Sequence, residues 1–440
     1  MNVARALGAL LLAALGGCHR APVLAQVSGD ASASEAGATT LAARCKMARM
    51  GGVALGQGAS EVVIGGAVTT PSGLAVGLLR SEGAHASSAI ALVAEDLSAP
   101  VRVDLGPALG DASPPRAFVA GGQLFAAAYV RSAADAGGTT ASRTLGLFRI
   151  DGARASATAT ARRVQSIEQA LDESAAFDVA STSPAAALVA WDEDAPSGNH
   201  GVIEVARVSL EDGPRAEGAD GGSSAAHVVS PDTSDADEPQ LAARPGGYWV
   251  AWIAHRAQIV VGDAATAELE GPAEGREFRW IEVEPLDEAG KPVGPVRRVT
   301  SATGHISGFT PAPASPSAPA AQLDIYVRDE EEAEEGAGGR LLRITVRSDG
   351  ADPPVVLVAG GAGRGAPDIV GPWLVYADTN EHARLLPLGE AGSSFATAET
   401  SLDDARPLGI LPASSQLLAA FPGEHLGAEP GPLRAFACAR

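Results

Sequence analysis

The sequence predicts an all-β fold made of about seven copies of one four-stranded unit, and two observations carry that prediction. A run of aromatic and β-branched residues, Gly247-Tyr248-Trp249-Val250-Ala251-Trp252-Ile253-Ala254, leaves a Pro245-Gly246-Gly247 turn. Similar runs begin near Gly73, Gln123, Ala186, Ala321, Pro372 and Gln416. Such residues suit a pleated strand leaving a turn. The second observation is a recurring acidic turn with glycine: Asp151-Gly152, Asp212-Gly213, Glu288-Ala289-Gly290, Asp349-Gly350 and Glu390-Ala391-Gly392. Glycine takes positive φ in a tight hairpin without steric cost. Internal repetition of this kind decides architecture before any single motif does.

Taken in order, each unit is a first strand, a turn, the repeated strand, a third strand, and a last short strand after the acidic turn. Four antiparallel strands repeated radially make a β-propeller. The blades fall near 58–108, 112–168, 173–230, 236–300, 303–360, 364–399 and 403–440. Their uneven lengths follow from loop insertions at 132–142 and 214–226 and from a Pro/Ala-rich insert from Thr310 to Ala321. Several repeated strands are almost wholly apolar, as sheets covered on both faces by neighbouring blades require. One helical turn is expected around Ser166 to Glu173. The last unit has only three strands before Arg440, so a closed ring needs its outer strand from residues 41–50, LAARCKMARM.

The N-terminus reads MNVARALGALLLAALGGC. Arg5 gives a positive start, and Ala6 to Leu15 form an apolar stretch too short to span a bilayer. Leu15-Gly16-Gly17-Cys18 resembles the lipobox of bacterial lipoproteins, and the chain as a whole resembles a lipid-anchored β-propeller of the bacterial envelope. The resemblance implies a signal peptide over 1–17 and acylation of Cys18, with several acyl chains giving stable anchoring. His19 stands where Asp commonly marks inner-membrane retention, which implies the outer membrane. Residues 18–40 are small and polar and form the expected tether; residues 41–440 form the propeller domain. With Cys18 assigned to lipid, Cys45 and Cys438 are left, one on each proposed closing strand. An exported protein meets an oxidising compartment, so a Cys45–Cys438 disulfide is expected. In the chain-entropy account, closing so long a loop stabilises by about 4 kcal/mol or more.

Composition excludes some functions. The net charge of −21 makes nucleic acid a poor partner. Aromatic residues at 4% argue against a glycan surface built from stacked rings. No apolar run after Cys18 reaches membrane-spanning length. The expected partners are the membrane, through the lipid anchor, and a protein or glycan, and the expected state is a monomer.

Chemical motifs are sparse. Val355 to Val370 carries Gly361-x-Gly363-x-Gly365, but this departs from the dinucleotide spacing and Pro367 stands where a helix would begin. Asp232, Asp235, Asp237 and Glu238 lie within seven residues and could ligate Ca²⁺. The order of EF-hand ligands is absent, and a solvated turn between blades is expected instead. Asp329 to Glu335 reads as an acidic hairpin tip. The eight histidines, at 19, 85, 200, 227, 255, 305, 382 and 425, form no metal-binding pair in sequence. His200 and His255 follow equivalent strands and could converge on one rim of the ring. Trp191, Trp249, Trp252 and Trp373 are expected to pack between blades. No nucleophile elbow is present, so no catalytic residue, metal or cofactor is assigned. The function expected is a non-catalytic binding or scaffold module. The alternative is a propeller hydrolase or lyase acting at the central channel, which a group of two or three acids with His or Arg around the axis would favour.

Overall fold

The computed structural model describes residues 45–438 apart from 56–58, 60, 84, 95–99, 109–111, 132–142, 153–158, 169–175, 196–199, 212–224, 257–276, 313–321, 331–337, 348, 372, 389–399, 403–409, 414–415 and 420–431. Residues 1–17, expected as a signal peptide, and residues 18–40, expected as a tether beginning at Cys18, lie outside the described residues.

Every described blade is an antiparallel meander. Blade 1 holds β2 (Glu61–Thr70), β3 (Gly73–Glu82), β4 (His85–Ala94) and β5 (Val101–Ala108). Blade 2 holds β6 (Arg116–Ala120), β7 (Gln123–Arg131), β8 (Arg143–Asp151) and β9 (Thr160–Glu168). Blade 3 holds β10 (Phe177–Ser183), β11 (Ala186–Asp194), β12 (Gly201–Ser209) and β13 (His227–Val228). Blade 4 holds β14 (Asp235–Arg244), β15 (Gly247–Arg256), β16 (Phe278–Leu286) and β17 (Arg297–Arg298). Blade 5 holds β18 (Ile306–Ala312), β19 (Leu323–Asp329), β20 (Gly339–Arg347) and an outer edge divided between β21 (Gly350–Ala351) and β22 (Val355–Ala362). Blade 6 holds β23 (Asp368–Val370), β24 (Trp373–Ala377), β25 (Ala383–Pro387) and β26 (Thr400–Leu402).

The seventh blade closes the ring. Its order is β1 (Cys45–Ala54), β29 (Pro432–Cys438), β28 (Gln416–Ala419) and β27 (Ile410–Ala413), so the N-terminal strand is its outer edge. Cys45 is the register partner of Cys438; directly opposed residues in antiparallel strands have Cα atoms about 4.5–5.5 Å apart. The first strands touch in cyclic succession: β2 with β6, β6 with β10, β10 with β14, β14 with β18, β18 with β23, β23 with β27, and β27 with β2. The protein is a β-propeller.

The core lies between blades, which explains why the repeated strands are apolar on both faces. Trp191 packs with Phe125, Tyr129 and Leu147 between blades 2 and 3. Trp252 packs with Leu188 and Ile203 between blades 3 and 4, and Trp249 with Phe309 and Ile325 between blades 4 and 5. Glycine permits backbone contact where strands approach most closely. A Cβ on Gly77 of β3 would lie 1.8 Å from the Pro115 carbonyl of the next blade.

Two local expectations need correction. Ser166 to Glu168 end β9 rather than forming a helical turn, and 169–173 lie outside the described residues. Thr310 to Ala312, taken as the start of the Pro/Ala insert, belong to β18; pairing with Asp324 to Tyr326 holds them extended. Among the described residues no helix is long and apolar enough to cross a membrane.

Candidate functional site

The two ends of the ring differ in chemistry. Near the start of β2, a Cβ on Gly65 would lie 2.3 Å from the Pro115 carbonyl just before β6. Near the start of β18, one on Gly308 would lie 2.6 Å from Ala366 just before β23. The first strands therefore begin on the same face. The opposite face carries short turns of small residues, such as Gly121-Gly122, where a Cβ on Gly121 would meet Pro184 at 2.3 Å. The face where the first strands begin carries Arg116, Asp178, Asp235, Asp237, Glu238 and Asp368, and the second strands deliver Asp192, His255 and Asp329 to it.

Blade 4 gathers most of these groups. Between Asp237 and Gln240 the register of β14 against β15 slips, and the extra residue bends the strand. Within this bulge Glu238 adopts φ of 51°, uncommon for a residue other than glycine. The bend brings Asp237 and Glu238 to Arg279, whose Nη2 lies 3.6 Å from Asp237 Oδ2 and 3.4 Å from Glu238 Oε1. His255, near the end of β15, stands among three carboxylates. Its Nδ1 is 2.5 Å from Glu277 Oε1, and its Nε2 is 3.5 Å from Asp237 Oδ2 and 3.7 Å from Asp235 Oδ2. Glu277 is itself positioned by its backbone, whose carbonyl lies 3.2 Å from His305 Nδ1. Asp235 ties the group to blade 3 by accepting the Gly201 N–H at 2.5 Å.

The environment changes the acidity of Asp237. Burial, followed by repulsion from Glu238, raises its pKa to about 6 against the pull of Arg279 and His255. Its Oδ1 is buried and finds no hydrogen-bond partner among the described residues. A carboxyl that holds its proton near pH 6 can serve as a general acid.

A second group lies at the axis. Arg116 begins β6, and its Nη1 would lie 3.4 Å from a Cβ on Gly66 of blade 1. Asp178 of β10 accepts the Leu241 N–H of β14 at 2.8 Å. Burial pushes Asp178 above the ordinary carboxylate range, against Arg116 and two backbone N–H groups. Asp368 begins β23 and accepts the Ile369 N–H at 2.7 Å. Water reaches its side chain, yet the surrounding protein still makes burial the leading influence and pushes it upward against Ile369 and Arg116.

Comparisons with known proteins add little. No protein-family model matches the chain, and no curated protein matches it. The chain is similar to an α-L-arabinofuranosidase of Fusarium graminearum solved with an iminosugar inhibitor, at 8% identity over 78% of this chain and 91% of that one, with a TM-score of 0.41. It is similar to the Dos1 propeller at 10% identity over 85% and 78%, with a TM-score of 0.40. An α-L-arabinofuranosidase of Podospora anserina with cellotriose gives 12% identity over 69% and 95%, with a TM-score of 0.32. Likenesses this distant carry no argument about chemistry. The fold rests on the strand order of the chain itself.

Among the sequence candidates, Asp235, Asp237 and Glu238 are not the solvated turn expected of them, because pairing with Ile253 to His255 draws Asp235 and Asp237 into β14. Asp232 stays exposed in the turn before that strand. Among the described residues no set of three or more His, Cys, Asp or Glu is arranged to hold a metal ion. His255 is a strand residue rather than a loop histidine, and Asp235 links it to Gly201, the neighbour of His200. Asp329 is buried against Arg340 at 2.6 Å rather than solvated in a hairpin tip, while 331–335 lie outside the described residues. Asp192 accepts the Ala176 N–H at 3.1 Å, and Asp324 accepts the Thr345 hydroxyl at 2.6 Å. Glu277, Arg279, Arg116, Asp178 and Asp368 were missed. Their common signal is position: all five stand at or beside the first residue of a strand.

Proposed function

We propose that this propeller is a hydrolase that cleaves C–O bonds in an extracytoplasmic glycan, with its acid–base groups on the blade 4 rim. The observation that carries this is the convergence of Asp237 Oδ2 with His255 Nε2 at 3.5 Å and Arg279 Nη2 at 3.6 Å, where burial pushes the Asp237 carboxyl up to about 6. Asp237 gives its proton to the leaving oxygen. His255, oriented through Nδ1 by Glu277, takes a proton from the attacking water at Nε2 and returns it to Asp237, 3.5 Å away. Water is thereby added across the bond and the groups end in their starting states. Arg279, 3.4 Å from Glu238 Oε1, orients that carboxylate toward positive charge developing on the sugar. With Cys18 acylated, the ring stands tethered in the cell envelope.

A panel of chromogenic aryl glycosides and esters tests this proposal. Wild-type protein is expected to turn over at least one aryl glycoside, with activity falling as pH rises through about 6, because the working form of Asp237 is the protonated one. Asp237→Asn is expected to lower kcat by roughly 10²- to 10⁴-fold with little change in KM. Glycan binding with no turnover of any substrate would return the account to a non-catalytic binding module.

A further inference from the structure

The axial group is chemically separate from the blade 4 machinery, and its composition is selective. Three blades contribute: Arg116 from blade 2, Asp178 from blade 3 and Asp368 from blade 6. All three stand at the beginnings of first strands, so they share the face described above and border the channel mouth. Arg116 and Asp368 are exposed, and Asp178 is half-buried. Among the described residues the Arg116 guanidinium closes no ion pair at contact distance. It stays within electrostatic reach of both carboxylates while lying over the Gly65-Gly66 bulge of blade 1. Gly66 has φ of 105°, a conformation that keeps the bulge free of side chains. An exposed guanidinium and two carboxyl groups, from three different blades, thus share one mouth of the channel.

We propose that Arg116, Asp178 and Asp368 form a subsite for the vicinal hydroxyls of a neutral sugar, binding it at the mouth of the channel. A sugar diol presents donors and acceptors side by side, which matches a guanidinium and two carboxyl groups at one channel mouth. Two other ligand classes fit poorly. An anionic uronate meets Arg116 but also two acids, and an amine meets the acids but also Arg116. Among the described residues no tryptophan is free to stack on a sugar, because Trp191, Trp249, Trp252, Trp280 and Trp373 are all buried. Affinity therefore rests on hydrogen bonds and is expected in the millimolar range, on the order of what a few solvent-exposed polar contacts give. This subsite deepens the hydrolase proposal by naming an uncharged glycan as its substrate class, although binding at the axis does not itself need catalysis.

Isothermal titration of the full ring at pH 7 separates the possibilities. The probes are neutral trisaccharides (xylo-, arabino-, cello- and malto-), trigalacturonate and a glucosamine trimer. At least one neutral trisaccharide is expected to bind, at least tenfold more tightly than either charged trimer. Arg116→Met and Asp368→Asn, both at exposed positions, are each expected to weaken that binding tenfold or more while thermal unfolding stays at the wild-type temperature. Asp237→Asn is expected to bind the sugar as wild type does. In the wild-type protein, binding of a neutral trisaccharide without turnover of any glycoside would count against the hydrolase proposal and in favour of the subsite. Preference for trigalacturonate or the glucosamine trimer, wild-type affinity in both axial variants, or no binding of any neutral trisaccharide would each overturn the subsite.

Discussion

Glu284 offers a test of how the blades are held together. It lies on β16 opposite Val250, on the same face as Trp280 and Leu286 and toward blade 3, where Leu188, Val205 and Trp252 pack. The side chain is 5% exposed, and its Oε2 has no hydrogen-bond partner among the described residues. Burial alone raises its pKa from 4.5 to about 7. The folded ring therefore keeps this proton over a range in which the unfolded chain has released it. Stability from this group is greatest below pH 4.5, falls as pH rises, and levels off above about 7. At about 1.4 kcal/mol per pH unit, the loss is about 3 kcal/mol. Unfolding entropy near 2.1 cal/mol/K per residue over Leu41 to Arg440 gives about 0.8 kcal/mol/K, so the loss corresponds to about 4 °C in Tm. Glu204, also raised by burial, titrates in the neighbouring blade, so wild-type behaviour is a sum. Comparison with Glu284→Gln isolates the one group. Between pH 5 and pH 8, a window that omits the part of the loss already complete at pH 5, the wild type should lose about 3 °C more than the variant in scans at one heating rate. Parallel Tm curves would refute the burial argument.

Other predictions concern the closure and the anchor. Peptide mapping without reductant should recover Cys45 linked to Cys438, and Cys45→Ser should lower stability by about 4 kcal/mol or more in denaturant titration; free thiols on both residues of the exported protein would count against the bridge. Cys18→Ala should move the protein from the membrane fraction to the soluble fraction of a bacterial host, and unchanged fractionation would remove the lipid anchor from the account.

Most of the fold was legible because propeller strands obey local rules. Gly73, Gln123, Ala186, Gly247 and Gln416 begin their strands where the turn signals place them, and Leu323 and Trp373 fall within two residues. The closing strand was legible by subtraction, since a last blade of three strands left 41–50 as the nearest spare segment. The site was less so. Sequence distance hides the approach of Glu277, Arg279 and His255 to Asp237, which depends on three adjacent strands and one bulge. The repeated strands stand out in the sequence, but their middles are buried and apolar. The polar chemistry lies at strand beginnings, where a side chain can reach the channel or the next blade without leaving the sheet. Arg116, Asp178 and Asp368 had no common motif to reveal them. Only ring closure brings blades 2, 3 and 6 to a shared axis.

The central claim is that this face holds a carboxyl poised to give up a proton near pH 6. Titration of aspartate carboxyl ¹³C resonances in wild type and in Asp237→Asn tests it without a substrate. The account predicts that the resonance lost in the variant titrates in the wild type with a midpoint of about 6. A midpoint near 4, the ordinary aspartate value, would leave Asp237 an ionised partner of Arg279 and remove the general acid from the proposed reaction.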